Sequence, residues 1–385
     1  MSNADISDTD ARPMAKSREP LWFLAALPPP LNGQSNCNRA MQDILQSHVD
    51  LTLLDPGRTR LGKLWCAVAN AVVVMVHGRR GRVAYISIPG QNGVWLLLLA
   101  ILAMRVRGMT MWFHHHSFRP INRGPLRAMR ALVTCAGSRQ HHILLSERMR
   151  ERFAALYLPG RAKAAFAFSN TVLFPPDCRK AIATRPERPL TLGHVSVLTR
   201  AKGIYHLLDL FEVLRTGIPD LRMIIAGPSE DADLLQAVRR AVERHPDAVE
   251  YRGAVAGDEK ARFYRDIDAF ILPTTLIDEA EPLVMIEAYE QGVEVFASAT
   301  GCIPDRIRKH EHLLTLNLSE DAKRIAPLAR LSGQEWADQR KTCRAHVCEL
   351  TEETREQGQT VLARLLEPFC PSMTETGVAM EHTLR

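Results

Sequence analysis

The sequence predicts an α/β protein built as two open sheets of parallel strands, each wrapped by helices and facing the other across a cleft. Two series of alternating strand-like and helix-like segments carry that expectation. They lie on either side of a Pro- and charge-rich stretch, "PPDCRKAIATRPERP" at 175–189. Strands that alternate with helices need crossover connections, the signature of a parallel sheet covered on both faces. Length agrees, because 385 residues exceed one ordinary core and fit two.

Residues 1–19 are polar and aperiodic and read as a disordered leader. "PLWFLAALPPPLNGQSN" then gives a short apolar strand, a Pro/Gly-rich loop and a helix from about Ser35. Strand-like runs recur at 49–55, 82–88, 109–116, 141–146 and 162–170, so the first Rossmann-like domain is expected over 20–175. After the linker, strands at 190–198, 221–227, 249–253, 268–274 and 293–298 alternate with helices at 203–216, 231–244, 258–265 and from 282. They define a second Rossmann-like domain over 190–320. Helical sequence at 321–367 is expected to pack back toward the first domain, with a loose tail over 371–385. Ligands of such sheets bind beyond the carboxyl ends of the strands, which directs attention to the cleft.

Composition, at 46% hydrophobic and 24% charged, excludes a disordered chain and a fibre. The eight cysteines show neither CxxC pairs nor zinc-finger spacing. With no signal peptide at the start, they read as reduced thiols of a cytoplasmic protein. The net charge of +6 hides an asymmetry: residues 1–180 hold 24 Lys+Arg against 10 Asp+Glu, and 181–385 hold 25 against 33. Within 51–165 the count is 18 to 3. Such a half is suited to an anionic partner, phospholipid headgroups at the inner face of a membrane or an anionic or lipid-linked acceptor. The competing reading is that scattered arginines serve solubility. No nucleic-acid partner is expected. Two apolar runs lie in this half, at 69–76 and 94–104. Eleven helical residues cover roughly half of a ~30 Å hydrocarbon core, so neither spans a bilayer. Each reads as a buried helix, with a monotopic, surface-leaning segment as the alternative.

Chemistry concentrates in "IDEAEPLVMIEAYEQG" at 277–292. Pro282 is suited to the first position of a helix, where its missing N–H is not needed, and Gly292 ends that helix. Glu279 precedes the helix and Glu287 sits in its second turn, so the spacing of eight is not simple amphipathicity. Asp278 and Glu281 read as helix-start charges, favoured by the dipole at about 0.3–1 kcal/mol each, and Glu290 as a surface charge.

The segment resembles the Glu-x7-Glu signature of retaining GT-B glycosyltransferases of the family 4 type (glycosyl transferases group 1), and continues like them through "EAYEQGVEVFASATGCIPDRI". "LGHVSVLTRAKGIYHLLDLF", "LRMIIAGPSEDADLL" and "VEYRGAVAGDEKARFYRDIDAFILPT" resemble further elements of the same domain. The resemblance covers about 190–307 well and the first domain loosely. It implies a GT-B fold and transfer of a sugar from a nucleotide diphosphate sugar to an acceptor with retention, without a cofactor or metal. By the same resemblance Glu287 binds ribose hydroxyls and Glu279 a hydroxyl of the donor sugar. Carboxylates suit vicinal hydroxyls because charge-assisted hydrogen bonds are the strong ones. The N–H groups of Leu283 and Val284 face the diphosphate, and Lys202 neutralises it. Two departures stand out: Pro282 replaces the usual glycine, and Val197 stands where an arginine is usual, so Arg200 is the substitute candidate.

In the first domain, "ALPPPLNGQSN" resembles the family's glycine loop, with Gly33 allowing close backbone approach. "WFHHHSF" at 112–118 ends a strand. Adjacent strand residues point to alternate faces, so at most two of its three histidines converge, and a metal site is not expected. The resemblance places a histidine beside the reacting sugar carbon. His116 is favoured, His115 is next, and His114 turns into the sheet. The alternatives to a transferase are a sugar-nucleotide epimerase on the same scaffold and a non-catalytic sugar-nucleotide-binding protein.

Overall fold

The computed structural model describes residues 19–370 apart from 30–31, 91–92, 180, 183–184 and 186, so the expected leader and tail lie outside the described residues. The first domain runs β1 (Leu21–Leu24), α1 (Gly33–Gln46), β2 (Leu51–Leu54), α2 (Arg60–His77), β3 (Val83–Ile88), α3 (Gly93–Val106) and β4 (Thr110–His115). It continues with α4 (Arg119–Asn122), α5 (Arg127–Ala136), β5 (Gln140–Leu144), α6 (Glu147–Tyr157), β6 (Ala165–Ala167) and α7 (Asn170–Leu173). Its sheet is parallel in the order β2-β1-β3-β4-β5-β6.

The second domain runs β7 (Thr191–Val195), α8 (Ile204–Arg215), β8 (Arg222–Ala226), α9 (Ala232–Arg244), β9 (Val249–Tyr251), α10 (Gly257–Asp266) and β10 (Ala269–Leu272). After these come α11 (Leu283–Glu290), β11 (Glu294–Ser298), α12 (Ile303–Arg306), β12 (Leu313–Leu314), α13 (Leu318–Ile325) and α14 (Gly333–Leu366). The sheet is again parallel, ordered β12-β11-β10-β7-β8-β9. Strand order reverses between β1 and β3 in one sheet and between β7 and β10 in the other. Loops diverge at such switch points and open a crevice there.

Each sheet is apolar on both faces, as a fully covered parallel sheet must be. Alternation along β4 shows it: Met111 and Phe113 enter the core beneath α3, α5 and α6, and Trp112 enters the core shared with α1 and α14. Helix α14 belongs to both domains. Trp336 and Cys343 pack into the two cores of the second domain, while Val361, Leu362, Leu365 and Leu366 close the first domain's core against Leu21 and Phe23.

Two expectations are corrected. Cys178, in the linker, and Cys348, on α14, form a disulfide, whereas all eight cysteines read as reduced; the other six are free thiols. The apolar run at 94–104 is buried along one side of α3 only, with Trp95, Leu99 and Leu102 exposed, and the run at 69–76 is mostly exposed. Only Ala67, Asn70 and Val74 of α2 are buried, and its 18 residues are apolar and long enough to cross a membrane by length and composition alone.

The disulfide joins the two segments by which the chain passes between domains, closing a loop of 170 residues. Removing a cross-link over so long a loop raises the entropy of the unfolded chain, by about 2–4 kcal/mol in typical cases. Reduction, or Cys348→Ser, is expected to lower the midpoint of chemical denaturation accordingly. An unchanged midpoint would show that the bond does not restrain the unfolded chain.

Candidate active site

The second sheet's switch point builds the first half of the site. After β7 the chain enters a short helical turn at Arg200–Lys202, capped by the Thr199 side chain, and then Gly203 adopts the left-handed conformation with φ +79°. A Cβ at Gly203 would lie 2.0 Å from the Pro273 carbonyl oxygen, so the lysine turn and the loop after β10 meet only because this residue is glycine. Thr275 N–H donates to Ala201 O at 2.7 Å and fastens the two loops. Lys202 Nζ thereby reaches Glu279 Oε2 at 2.5 Å, with Thr274 Oγ1 donating to the same oxygen at 3.2 Å. Glu279 is buried, and its partners satisfy a carboxylate that could not otherwise leave water.

Helix α11 follows that loop. Pro282 occupies the position just before it, rather than its first turn, and supplies no capping side chain. The leading N–H groups of the half-buried Leu283 and Val284 therefore have no side-chain cap, and they carry the positive end of the helix dipole. One turn on, Glu287 accepts from Lys260 Nζ at 2.7 Å and from Tyr264 Oη at 2.7 Å. Lys260 and Tyr264 lie one turn apart on α10, which aims both at Glu287. Arg200 turns elsewhere: its guanidinium bonds Asp231 at 2.8 Å and Asp233 at 3.3 Å on the protein surface. Val197 is exposed.

The first domain supplies the facing wall. Gly33 opens α1 in front of the capping residue Asn32, and open space surrounds the position of its missing Cβ. Gln34 Nε2 donates to Ser87 Oγ at 3.0 Å and Ile88 O at 2.9 Å, closing the switch point between β1 and β3. At the end of β4 the three histidines divide as alternation requires. His114 and His116 share one face with ring centroids 4.1 Å apart, and His114 bonds Tyr85 Oη at 2.6 Å. His115 turns to the other face, bonds His142 at 2.9 Å and packs on Phe153, so it stands among core groups and not beside His116. His116 Nε2 is buried without a hydrogen-bond partner. Among the described residues, no three His, Cys, Asp or Glu side chains are grouped to hold a metal ion.

What joins the two walls is the set of acids read as surface charges. Asp278 receives a two-pronged bond from Arg119, at 2.8 and 2.6 Å, and a third from Ser117 Oγ at 2.8 Å. The Arg119 guanidinium holds its carboxyl below the usual carboxylate range. Glu281 is buried and accepts from Ser169 Oγ at 2.8 Å, Asn170 N–H at 2.5 Å and Arg306 Nε at 2.5 Å. Both acids dock the domains, which corrects the helix-start reading. Glu290 does remain at the surface side, accepting from Asp177 N–H at 3.1 Å. Because Ser117 follows His116 and Asp278 precedes Glu279, the Ser117–Asp278 bond draws those two candidates together across the crevice. The space beside this contact, lined by Phe118, Asn122, Arg148, Thr275 and Thr300, is 280 Å³. A larger cavity, of about 770 Å³, lies at the amino end of β7 between linker and α14, away from all of these groups.

Residues 179–329 match the family model of glycosyl transferases group 1. The match falls mostly within the second half of the chain. It contains Arg200, Lys202, Glu279, Leu283, Val284 and Glu287, while Gly33, His115 and His116 lie outside the match. The curated sulfoquinovosyl transferase SQD2 of Arabidopsis thaliana is 30% identical over 125 residues, 32% of this chain, and the match spans only 22% of that relative's length. Among solved structures, HepE of Anabaena in complex with UDP superposes with a TM-score of 0.65 at 16% identity, covering 90% of this chain and 99% of that one. The catalytic domain of Starch Synthase IV from Arabidopsis thaliana, bound to ADP and acarbose, gives 0.62 at 10% identity, with 89% and 99% covered. The lipopolysaccharide outer core galactosyltransferase WaaB gives 0.61 at 15%, with 88% and 99% covered. The matched segment thus sits in a GT-B fold that extends over both halves.

Burial lowers the pKa of His115 and His116 to about 3 and of His194 to about 4, and holds His114 and His142 well below the ordinary 6.5. All five are neutral in the folded protein at pH 7. The unfolded chain takes up protons below about 6.5 and the folded chain does not, so the stability these groups contribute is complete above 6.5 and is lost as pH falls toward 3–4. Each adds a slope of up to about 1.4 kcal/mol per pH unit. The melting temperature is expected to decline steadily from pH 6.5 downward, ahead of carboxylate protonation. A flat profile to pH 5 would contradict the neutral assignment.

Proposed function

We propose that the protein is a retaining, metal-independent glycosyltransferase of the family 4 type, hexosyltransferase-like, that moves a sugar from a nucleotide diphosphate sugar to an acceptor hydroxyl. The observation that carries this reading is the Lys202–Glu279 pair beside the uncapped start of α11, at the carboxyl ends of β7 and β10 and inside the group 1 match. The relatives crystallised with UDP or ADP support a nucleotide donor.

In this reading the leaving diphosphate lies against the N–H groups of Leu283 and Val284 and the ammonium of Lys202. These groups stabilise the negative charge that grows as the anomeric C–O bond breaks and its electron pair passes to phosphate. Lys202 then exchanges part of its bond with Glu279 for phosphate, and Glu279 turns an oxygen to a donor-sugar hydroxyl. Glu287, oriented by Lys260 and Tyr264, accepts from the ribose hydroxyls. The acceptor oxygen bonds the anomeric carbon on the face the diphosphate leaves, and its proton passes to a phosphate oxygen. His116 is neutral, so it acts as a hydrogen-bond partner and not as an acid. Its unpartnered Nε2 is a buried polar atom that a sugar hydroxyl would satisfy.

A second reading has one observation in its favour. With Val197 exposed and Arg200 engaged by Asp231 and Asp233, the phosphate clamp is reduced to Lys202, as in a protein that binds a sugar nucleotide without turning it over.

Thermal shift against UDP, GDP, ADP and their sugar conjugates is expected to show stabilisation by one nucleotide class. Glu287→Ala should weaken that nucleotide roughly 10–100-fold, the worth of one charge-assisted hydrogen bond, with an unaltered fold. Nucleoside diphosphate should appear only when acceptor is present, at a rate unaffected by EDTA, and the product should keep the donor's anomeric configuration by NMR. Binding without turnover would select the second reading, and no stabilisation by any nucleotide would remove the donor site.

A further inference from the structure

One surface of the first domain is explained neither by the fold nor by the crevice. Helix α2 and the outer side of α3 present a continuous apolar stripe to solvent. On α2, Leu61, Trp65, Val72 and Val76 are 80%, 73%, 57% and 62% exposed, and Leu64, Val68 and Met75 are exposed beside them. Their spacing of three and four residues sets them along one side of the helix. Exposed Trp95, Leu99, Leu102 and Val106 extend the stripe on α3, against which α2 packs. Single exposed hydrophobics are ordinary, but a contiguous patch of this kind marks an interaction face.

The charge around the stripe identifies what it meets. From Pro56 to Ser146 the sequence holds 13 Lys and Arg and no Asp or Glu. Arg58, Arg60 and Lys63 stand exposed at the start of α2, and Arg79 and Arg80 just past its end. Among the described residues no carboxylate pairs with any of these five. A stripe of Trp, Leu and Val rimmed by unpaired cations is complementary to an anionic bilayer, whose interior takes the apolar groups and whose phosphates take the cations. A second copy of the chain fits poorly, since symmetric pairing would set two purely cationic rims against each other.

We propose that the α2–α3 face is a monotopic docking surface for anionic phospholipid. The helix lies in the membrane plane and does not cross it. Both ends of α2 return to strands of one sheet, β2 and β3, which flank β1, and Ala67, Asn70 and Val74 are buried on its inner side. Asn70 Nδ2 donates to Asp55 O at 2.8 Å and pins that inner side further. In a parallel β–α–β unit the helix begins at the carboxyl ends of the strands. The stripe therefore starts, at Leu61, on the crevice side of the domain. This surface is independent of the transferase reading, because lipid binding is measured without donor or turnover.

The test uses the full chain with sedimented vesicles of phosphatidylcholine alone or with 30% phosphatidylglycerol. Binding to the anionic vesicles is expected to weaken steeply with salt, and it should be about tenfold or more weaker on neutral vesicles. Trp22, Trp112 and Trp336 are buried, so a blue shift of tryptophan emission on binding reports Trp65 and Trp95. Trp65→Glu with Val72→Glu should abolish binding. Arg60→Glu with Lys63→Glu should reduce it about tenfold or more. The second pair introduces carboxylates in the first turn of a helix, where they are favourable, so folding is preserved; circular dichroism and melting temperature confirm it for both variants. The proposal is overturned if the wild type ignores anionic vesicles, if either folded variant binds like wild type, or if the apolar variant instead dissolves a dimer seen by analytical ultracentrifugation.

Discussion

The architecture turns on how one loop of the second domain is held by the first. Over 278–281 successive side chains are assigned to different partners. Asp278 faces Arg119 and Ser117, Glu279 faces Lys202 within its own domain, and Glu281 faces Ser169, Asn170 and Arg306. The outer two acids differ in weight. Asp278 and Arg119 are partly exposed, where an ion pair contributes about 1 kcal/mol or less. Glu281 is buried, and removing Arg306 would leave an uncompensated charge at about 3–5 kcal/mol. The loop's position, and with it that of Glu279, is thus set by groups that take no part in ligand chemistry. Gly301 adds to this. Its φ of +60° and the 2.3 Å between its hypothetical Cβ and Glu279 O admit no side chain beneath the loop.

How much of this is legible in the sequence depends on the range of the interaction. Strand and helix periodicity is local, so the alternation was readable and the strands of both sheets lie where it puts them, apart from the two-residue β12. Strand geometry limited convergence to two of the three histidines. The choice of His115 as second to His116 ran against that alternation, since His114 is the one that shares the face of His116. The roles of Asp278 and Glu281 were not legible, because their partners in the first domain stand 111 to 161 positions away, and a carboxylate ahead of a helix looks the same whether it meets water or arginine. Lys260 and Tyr264 were missed for a like reason: a helix reading "DEKARFYRD" passes as a wet amphipathic face until α11 is packed against it. The exposure of α2 was hidden by the same limit. An apolar run registers as buried, and only the third dimension shows which side lacks a cover.

Electrostatics run through both halves as a division of labour. The basic excess of the first domain gathers on α2, the α2–β3 connection and beyond, on the outside of the molecule. Within the crevice, by contrast, nearly every cation is already matched: Lys202 with Glu279, Lys260 with Glu287, Arg119 with Asp278 and Arg306 with Glu281. Under the proposed transferase reading, a diphosphate binds by taking over part of a cation's existing bond, which frees the released carboxylate for hydroxyls and couples sugar recognition to phosphate recognition in the pair Lys202 and Glu279.

The covalent layout limits how the two domains can move relative to each other. The chain crosses between domains twice, through the linker after α7 and through α14, and the Cys178–Cys348 bond ties the crossings together. Arg344 on α14 adds a bond to Asp177 O in the linker at 3.3 Å. With both crossings joined, the domains are tethered on that side, and the contacts of Asp278 and Glu281 hold them on the other. The acids that set the position of Glu279 are then the same ones that hold the domains together, so the placement of Glu279 depends on the domains being docked.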